Sequence, residues 1–149
     1  MNEEIEKILK REHLQLASIQ KRAAAFFIDE ILLSFLLIIA MSDSFSNAQT
    51  IEDIIRLTNT YLMEYIIIKI IYQTFFVMQY GATLGKIAMK IKVVDIQTLD
   101  NPGFAVSLNR AIFRVISEMI FYLGFVWAMM DPARQAWHDK TAKTLVIDV

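Results

Sequence analysis

Residues 23–41 read AAAFFIDEILLSFLLIIAM, and this stretch decides the class of the fold. It is apolar on every side of a helix, interrupted only by Asp29 and Glu30. At 1.5 Å per residue the run is about 28 Å long, close to the roughly 30 Å hydrocarbon core of a bilayer. Two further runs repeat the pattern. Residues 61–80, YLMEYIIIKIIYQTFFVMQY, contain Glu64 and Lys69 and carry tyrosine at both ends, as in the aromatic belts of membrane interfaces. Residues 112–130 hold Arg114 and Glu118, with Gly124 and Trp127 in their second half. The soluble alternative, a small protein with three buried helices, requires complete burial of all three, which 149 residues do not provide.

Composition agrees. Hydrophobic residues make up 56% of the chain, above the roughly 45–50% of soluble domains. Fifteen basic and sixteen acidic side chains give a net charge of −1, without the basic footprint of a nucleic-acid binder. The absence of cysteine excludes disulfides, thiol catalysis and thiolate metal sites. The first apolar run begins more than twenty residues in, lacks a small-residue cleavage site and precedes further spans, so it is not read as a secretory signal.

Flanking charges give an expected orientation. Lys7, Lys10, Arg11, Lys21 and Arg22 precede the first run, and Lys86, Lys90, Lys92 and Arg110 follow the second. The connection 42–60 carries Arg56 against Asp43, Glu52 and Asp53. The N-terminus and 81–111 are therefore predicted cytoplasmic, with 42–60 outside. Residues 1–18 are expected to form an amphipathic helix on the inner face, with a solvated helical tail as the alternative. Residues 19–149 form the domain proper.

A short internal similarity constrains the path of the chain. MKIKVVDI at 89–96 matches AKTLVIDV at 142–149 in Lys, Val and Asp, with β-branched neighbours. Both read as short strands, and Asp100-Asn-Pro-Gly103 as a turn. If the strands pair, they lie on one side of the membrane. The third run is then a re-entrant or bent hairpin, turning near Gly124; a full span would keep the strands apart. The expected fold class is all-α integral membrane: two transmembrane helices, that third segment, and a small cytoplasmic β element.

Ionisable residues inside a span cost about 2.5–3.5 kcal/mol and point to function. Arg22 sits at the inner end of the first helix, where it can snorkel to phosphates. Asp29 lies about 10 Å deeper on the same face, placed to bind a proton or a small cation in competition. Glu30 points about 100° away. Lys69 is the natural counter-ion for Asp29 or Glu30, while Arg114 and Glu118, one turn apart, can neutralise each other. The competing reading of these charges is a static ion-pair network that fixes packing. Gln73 and Thr74 are expected to cross-link helices.

Signals for an enzyme are poor, and no cofactor or metal is expected. His138 and Asp139 are neighbours in sequence, which makes neither a catalytic dyad nor a zinc site. The segment Gly81-Ala-Thr-Leu-Gly85-Lys86 lacks the spacer and the hydroxyl residue of a phosphate loop.

In their order and spacing, these motifs resemble the RDD family of small bacterial membrane proteins, named for one arginine and two aspartates. Arg22 opens the first helix and Asp29 lies within it. Gly81, Thr83, Gly85 and Lys86 match the family's turn after the second helix, which runs into the strand Ile91–Asp95. Trp137-His138-Asp139-Lys140 matches the segment of the second aspartate, and the strand Leu145–Val149 follows. The resemblance covers roughly Ile19 to Val149. Lys143 departs from it, standing where the family usually has glycine, which argues against ligand binding by this turn's backbone.

The resemblance implies a multi-pass protein of the bacterial inner membrane, N-terminus cytoplasmic. It also implies suspected transport, with some members looking like cation/proton antiporters, and makes Arg22, Asp29 and Asp139 the candidate site. Glu30, Lys69, Arg114, Glu118 and His138 are secondary candidates. Two readings follow. One is a secondary transporter exchanging a small cation for protons, a homo-oligomer because so few spans cannot enclose a polar pathway. The other is a non-transporting scaffold or accessory subunit in which the Arg and Asp residues form a structural clamp.

Overall fold

The computed structural model describes residues 2–149. Helix α1 (Glu3–Arg11) starts at Asn2, whose side chain accepts from the Glu4 amide. It is shorter than the expected 1–18 helix and does not lie free on an inner face. Ile5 is buried with Leu145 and Ile147, and Leu9 packs beside them. Residues 15–17 instead run along the last strand. The Ala17 amide donates to Val146 O at 3.0 Å, and the Asp148 amide donates to Gln15 O at 2.8 Å.

Helix α2 (Ile19–Ala40) is capped by Ser18, whose hydroxyl accepts from the Lys21 amide. After the short α3 (Ser42–Ser46), α4 (Ile51–Thr60) begins in a Thr50/Asp53 capping box. A break at Tyr61 leads into α5 (Leu62–Tyr80), the second long apolar helix. Gly81 ends it with φ +70°, a left-handed conformation that favours glycine. Thr83 then caps α6 (Leu84–Ala88), which leads to β1 (Ile91–Asp95).

The third apolar segment is bent. Helix α7 (Phe104–Met119) and α8 (Leu123–Met130) meet at 102°. The turn falls at Ile120–Tyr122 rather than at Gly124, which lies inside α8. Ser117 lies where a Cβ on Gly124 would project, so this glycine serves close packing across the bend. The helix also starts eight residues before the apolar run, because Phe104–Ala111 mixes Ser107, Asn109 and Arg110 into an amphipathic turn.

Helix α9 (Trp137–Ala142) precedes β2 (Thr144–Asp148), which pairs antiparallel with β1 in the register Val93↔Val146. The bend thus goes with a closed strand pair, as the same-side reading requires. The strands alternate with period two. Ile91, Val93 and Val146 pack against Ala25 of α2 and Val77 of α5, and Val94, Leu145 and Ile147 against α1. The sheet therefore caps the Ile19/Tyr80 end of the two long helices.

Two helices, α2 and α5, are long and apolar enough to cross a membrane, and the bent pair makes up to three. Only 17% and 22% of their most apolar windows are buried. Phe27, Ile31 and Phe35 on α2, and Met63, Ile67 and Ile71 on α5, are exposed. That is the surface of helices whose apolar faces have no protein partner.

Candidate functional site

Three buried charge clusters are built around the long helices. The first is centred on Asp29, which has no exposed surface. Tyr72 on α5 donates its hydroxyl to Oδ1 at 2.8 Å, and the Gly85 amide at the start of α6 donates to the same oxygen at 2.9 Å. The Thr83 hydroxyl donates to Oδ2 at 2.7 Å. The Leu84 amide donates in turn to the Tyr72 oxygen at 3.1 Å. Gly85 allows this close approach: a Cβ there would collide with Ala25 O and lie 2.8 Å from Asp29 Oδ1. Asp29 thereby joins α2, α5 and α6, with neutral donors alone and no ion-pair partner among the described residues. Of the two partners expected for Lys69, Asp29 or Glu30, it pairs with Glu30.

The second cluster is centred on Asp139, also fully buried. Arg22 of α2 pairs with its Oδ2, and Arg110 of α7 reaches its Oδ1 at 2.5 Å. The Ala136 amide donates to Oδ2 at 2.9 Å, which caps α9. Arg22 also donates to Arg134 O, and Arg110 to the Thr144 hydroxyl at the start of β2. Burial opposes ionisation of Asp139, but Arg22 and Arg110 outweigh it and hold the carboxyl far below the usual range. His138 beside it is driven well below its usual value by burial, so its imidazole is neutral at neutral pH. Asp139 opposes that shift, and Arg110 and Arg22 reinforce it.

The third cluster lies near the middle of the helix pair, since Glu30 and Lys69 are each about 16 Å along the helix from the sheet end. Lys69 bridges Glu30 at 2.8 Å and Glu118. Arg114 Nε donates to Glu118 at 3.4 Å, and its Nη2 is 3.9 Å from Glu30. The Tyr65 hydroxyl donates to Glu30 at 2.9 Å. Arg114 also stacks over the Phe26 ring at 5.0 Å.

The structure thus brings Arg22 and Asp139 together and leaves Asp29 in a site of its own. Glu30, Lys69, Arg114 and Glu118 form one network, with the Arg114–Glu118 neutralisation included. Gln73 Nε2 and the Thr74 hydroxyl are buried without hydrogen-bond partners, so they do not cross-link helices. Sequence reasoning placed none of Tyr72, Thr83 and Arg110 in the candidate site, though it used Thr83 in the turn motif and Arg110 as a flanking charge. A signal for Thr83 was present, a hydroxyl residue just before a helix start. No group of three or more His, Asp and Glu residues suited to holding a metal occurs among the described residues.

This pairing of one arginine with the later of two aspartates, around two long apolar helices, coincides with a family pattern. The model of the RDD family matches residues 16–143, nearly the whole chain. The chain belongs to the RDD family. Among curated proteins, an uncharacterized protein of Rickettsia prowazekii is 34% identical over 67 residues, covering 45% of this chain and 36% of that protein. A proline-rich antigen homolog of Mycobacterium tuberculosis is 32% identical over 69 residues, 46% of this chain and 29% of the relative. The proline-rich antigen of Mycobacterium leprae is 30% identical over 69 residues, with 46% and 28% covered. The matches span about a third of the length of these curated relatives. No solved structure matches.

Proposed function

We propose that this RDD protein is a non-transporting scaffold or accessory subunit of the bacterial inner membrane, in which Arg22, Asp29 and Asp139 form a structural clamp. In this reading α2 and α5 cross the bilayer and the bent α7–α8 pair returns to the side it entered. The N-terminus and the sheet are cytoplasmic, following the lysine and arginine bias. Burying the remaining exposed surface of Phe27, Ile31, Phe35, Leu36, Ile38 and Ile39 of α2 in hydrocarbon recovers on the order of 5–10 kcal/mol that water would forfeit. A typical soluble fold has only about 5–15 kcal/mol in total.

The observation that carries the clamp reading is the state of Asp29. A carboxylate that exchanges ions needs an open oxygen and a path to it. Asp29 has no exposed surface, and both its oxygens are taken by donors of the chain itself. The test is cation-dependent proton flux in liposomes holding the purified protein, with sodium, lithium and potassium added in turn. Wild type is expected to give no flux above empty liposomes, and Asp29→Asn to lower the thermal midpoint. Flux that vanishes in Asp29→Asn overturns the reading and establishes an exchanger.

A second reading, exchange of a small cation for protons, draws on the Glu30–Lys69–Glu118–Arg114 network at mid-depth. It requires a homo-oligomer to enclose the pathway. Loss of flux in Glu118→Gln, with Asp29→Asn still active, is the outcome that favours it.

A further inference from the structure

A cavity of about 460 Å³ opens between the start of α2, α6, α8 and α9. One wall is aromatic: Phe26 packs edge-on against Tyr122 at 5.9 Å and Phe125 at 5.3 Å. The wall runs out to Phe27 and Met129, which lie on the exposed apolar faces of α2 and α8. The lining also carries cations: Lys86, and Arg114, whose guanidinium stacks over Phe26 at 5.0 Å and Phe125 at 5.9 Å. Its size is that of a ligand pocket, within the usual range of about 300–1,000 Å³.

The cationic lining is incompletely used by the protein. Arg114 is 5% exposed, yet its Nη2 makes no hydrogen bond. Lys86 has no ion pair or side-chain hydrogen bond among the described residues, although it is half-buried. The buried network around it holds five cations, Arg22, Lys69, Lys86, Arg110 and Arg114, against four carboxylates, Asp29, Glu30, Glu118 and Asp139. Over the network as a whole the excess is one positive charge, and Lys86 is its one cation with no ion pair. Burial, with Arg114 beside it, pulls the Lys86 ammonium down to about 7, a cost that a bound anion would relieve.

We propose that this cavity binds one amphipathic phosphodiester, its phosphate between Lys86 and Arg114 and its apolar part along the Phe26–Phe125 wall. One phosphodiester carries the single negative charge that balances the excess. The free Arg114 nitrogen and the Lys86 ammonium donate charge-assisted hydrogen bonds to its oxygens. The site reaches from the sheet end of α2 inward to Arg114, and the aromatic wall continues into the exposed apolar faces of α2 and α8. The inference rests on the membrane-spanning part of the proposed function and is independent of whether the chain conducts ions.

The experiment is native mass spectrometry of the full chain, delipidated in detergent, with four probes: dioleoyl phosphatidylglycerol, dioleoylglycerol, oleate and inorganic phosphate. One phosphatidylglycerol per chain is expected to be retained, and dioleoylglycerol not. Lys86→Gln is expected to weaken that binding by about tenfold and Lys86→Arg to restore it. The lipid-free thermal midpoint should not fall in either variant, because Lys86 has no partner to lose. Inorganic phosphate that binds with the same Lys86 dependence assigns the site to a free phosphate rather than a headgroup. Equal retention of phosphatidylglycerol and dioleoylglycerol, retention of oleate alone, or phosphatidylglycerol binding unchanged in Lys86→Gln overturns the proposal.

Discussion

Asp29 and Asp139 are both fully buried, and each fastens three or more segments, but they are held by opposite means. Asp29 accepts from two hydroxyls and one amide, all neutral. Asp139 sits between two guanidinium groups. A carboxylate among neutral donors can be replaced by an isosteric amide with modest loss. A carboxylate between two arginines cannot, because its removal leaves buried positive charge uncompensated. The comparison separates two kinds of buried charge that sequence alone presents as alike: one shapes a helix junction, and the other neutralises its surroundings.

The largest effect is expected at the charged member. Asp139→Asn should destabilise by about 3–5 kcal/mol, read as a collapse of the thermal midpoint in detergent. Asp29→Asn should cost about 1–2 kcal/mol, since Tyr72 and Gly85 keep an acceptor while the charge assistance and the acceptor of the Thr83 hydroxyl are lost. Equal losses in the two variants would erase the distinction. Gly85→Ala sharpens it from the backbone side. The added methyl group meets Ala25 O and the Asp29 carboxylate, and should cost about 1–3 kcal/mol without removing any charge.

The next effect is a pH dependence confined to the Asp139 side. Unfolded His138 protonates near 6.5, whereas in the folded protein burial holds it well below that value. The unfolded state therefore binds more protons as pH falls through 6.5, and stability declines by up to about 1.4 kcal/mol per pH unit. Asp139 is depressed, so its contribution is present above 3.8 and is lost only below it. Lys86, held at about 7, contributes only near and above pH 7; between about pH 6 and 5 the slope belongs to His138, and His138→Gln should flatten it relative to wild type. The smallest effect is a gain. Lys143 has φ +52°, a left-handed conformation costing a non-glycine residue about 1–2 kcal/mol. Lys143→Gly should raise stability by about 1 kcal/mol once the extra backbone entropy is offset.

The two long helices were legible because all-round apolarity is a property of the segment itself. The strand pair was legible too, through a repeat of eight residues that also implied the bend. The bend's position was not, since Gly124 is the obvious breaker by composition but is used for packing against Ser117. Arg110 and Arg114 lie four residues apart on one face of α7. Nothing local distinguishes them, yet one turns to Asp139 and the other to Glu118. The Asp29 site was hidden for a different reason. Its donors are a tyrosine on another helix and a backbone amide, and only the assembled fold brings them within reach.

Arg22 and Asp139 are 117 residues apart in the chain. At roughly 5–20 residues per second, synthesis of that interval takes on the order of 6–23 s. Arg22 therefore waits at the end of an already formed helix, its carboxylate not yet made. Until then Arg22 lacks that partner, and the clamp can close only as a late event of biogenesis. A ribosome stalled before residue 139 would display both long helices and an unlocked sheet end, a state that proteolysis of nascent chains can tell from the finished protein.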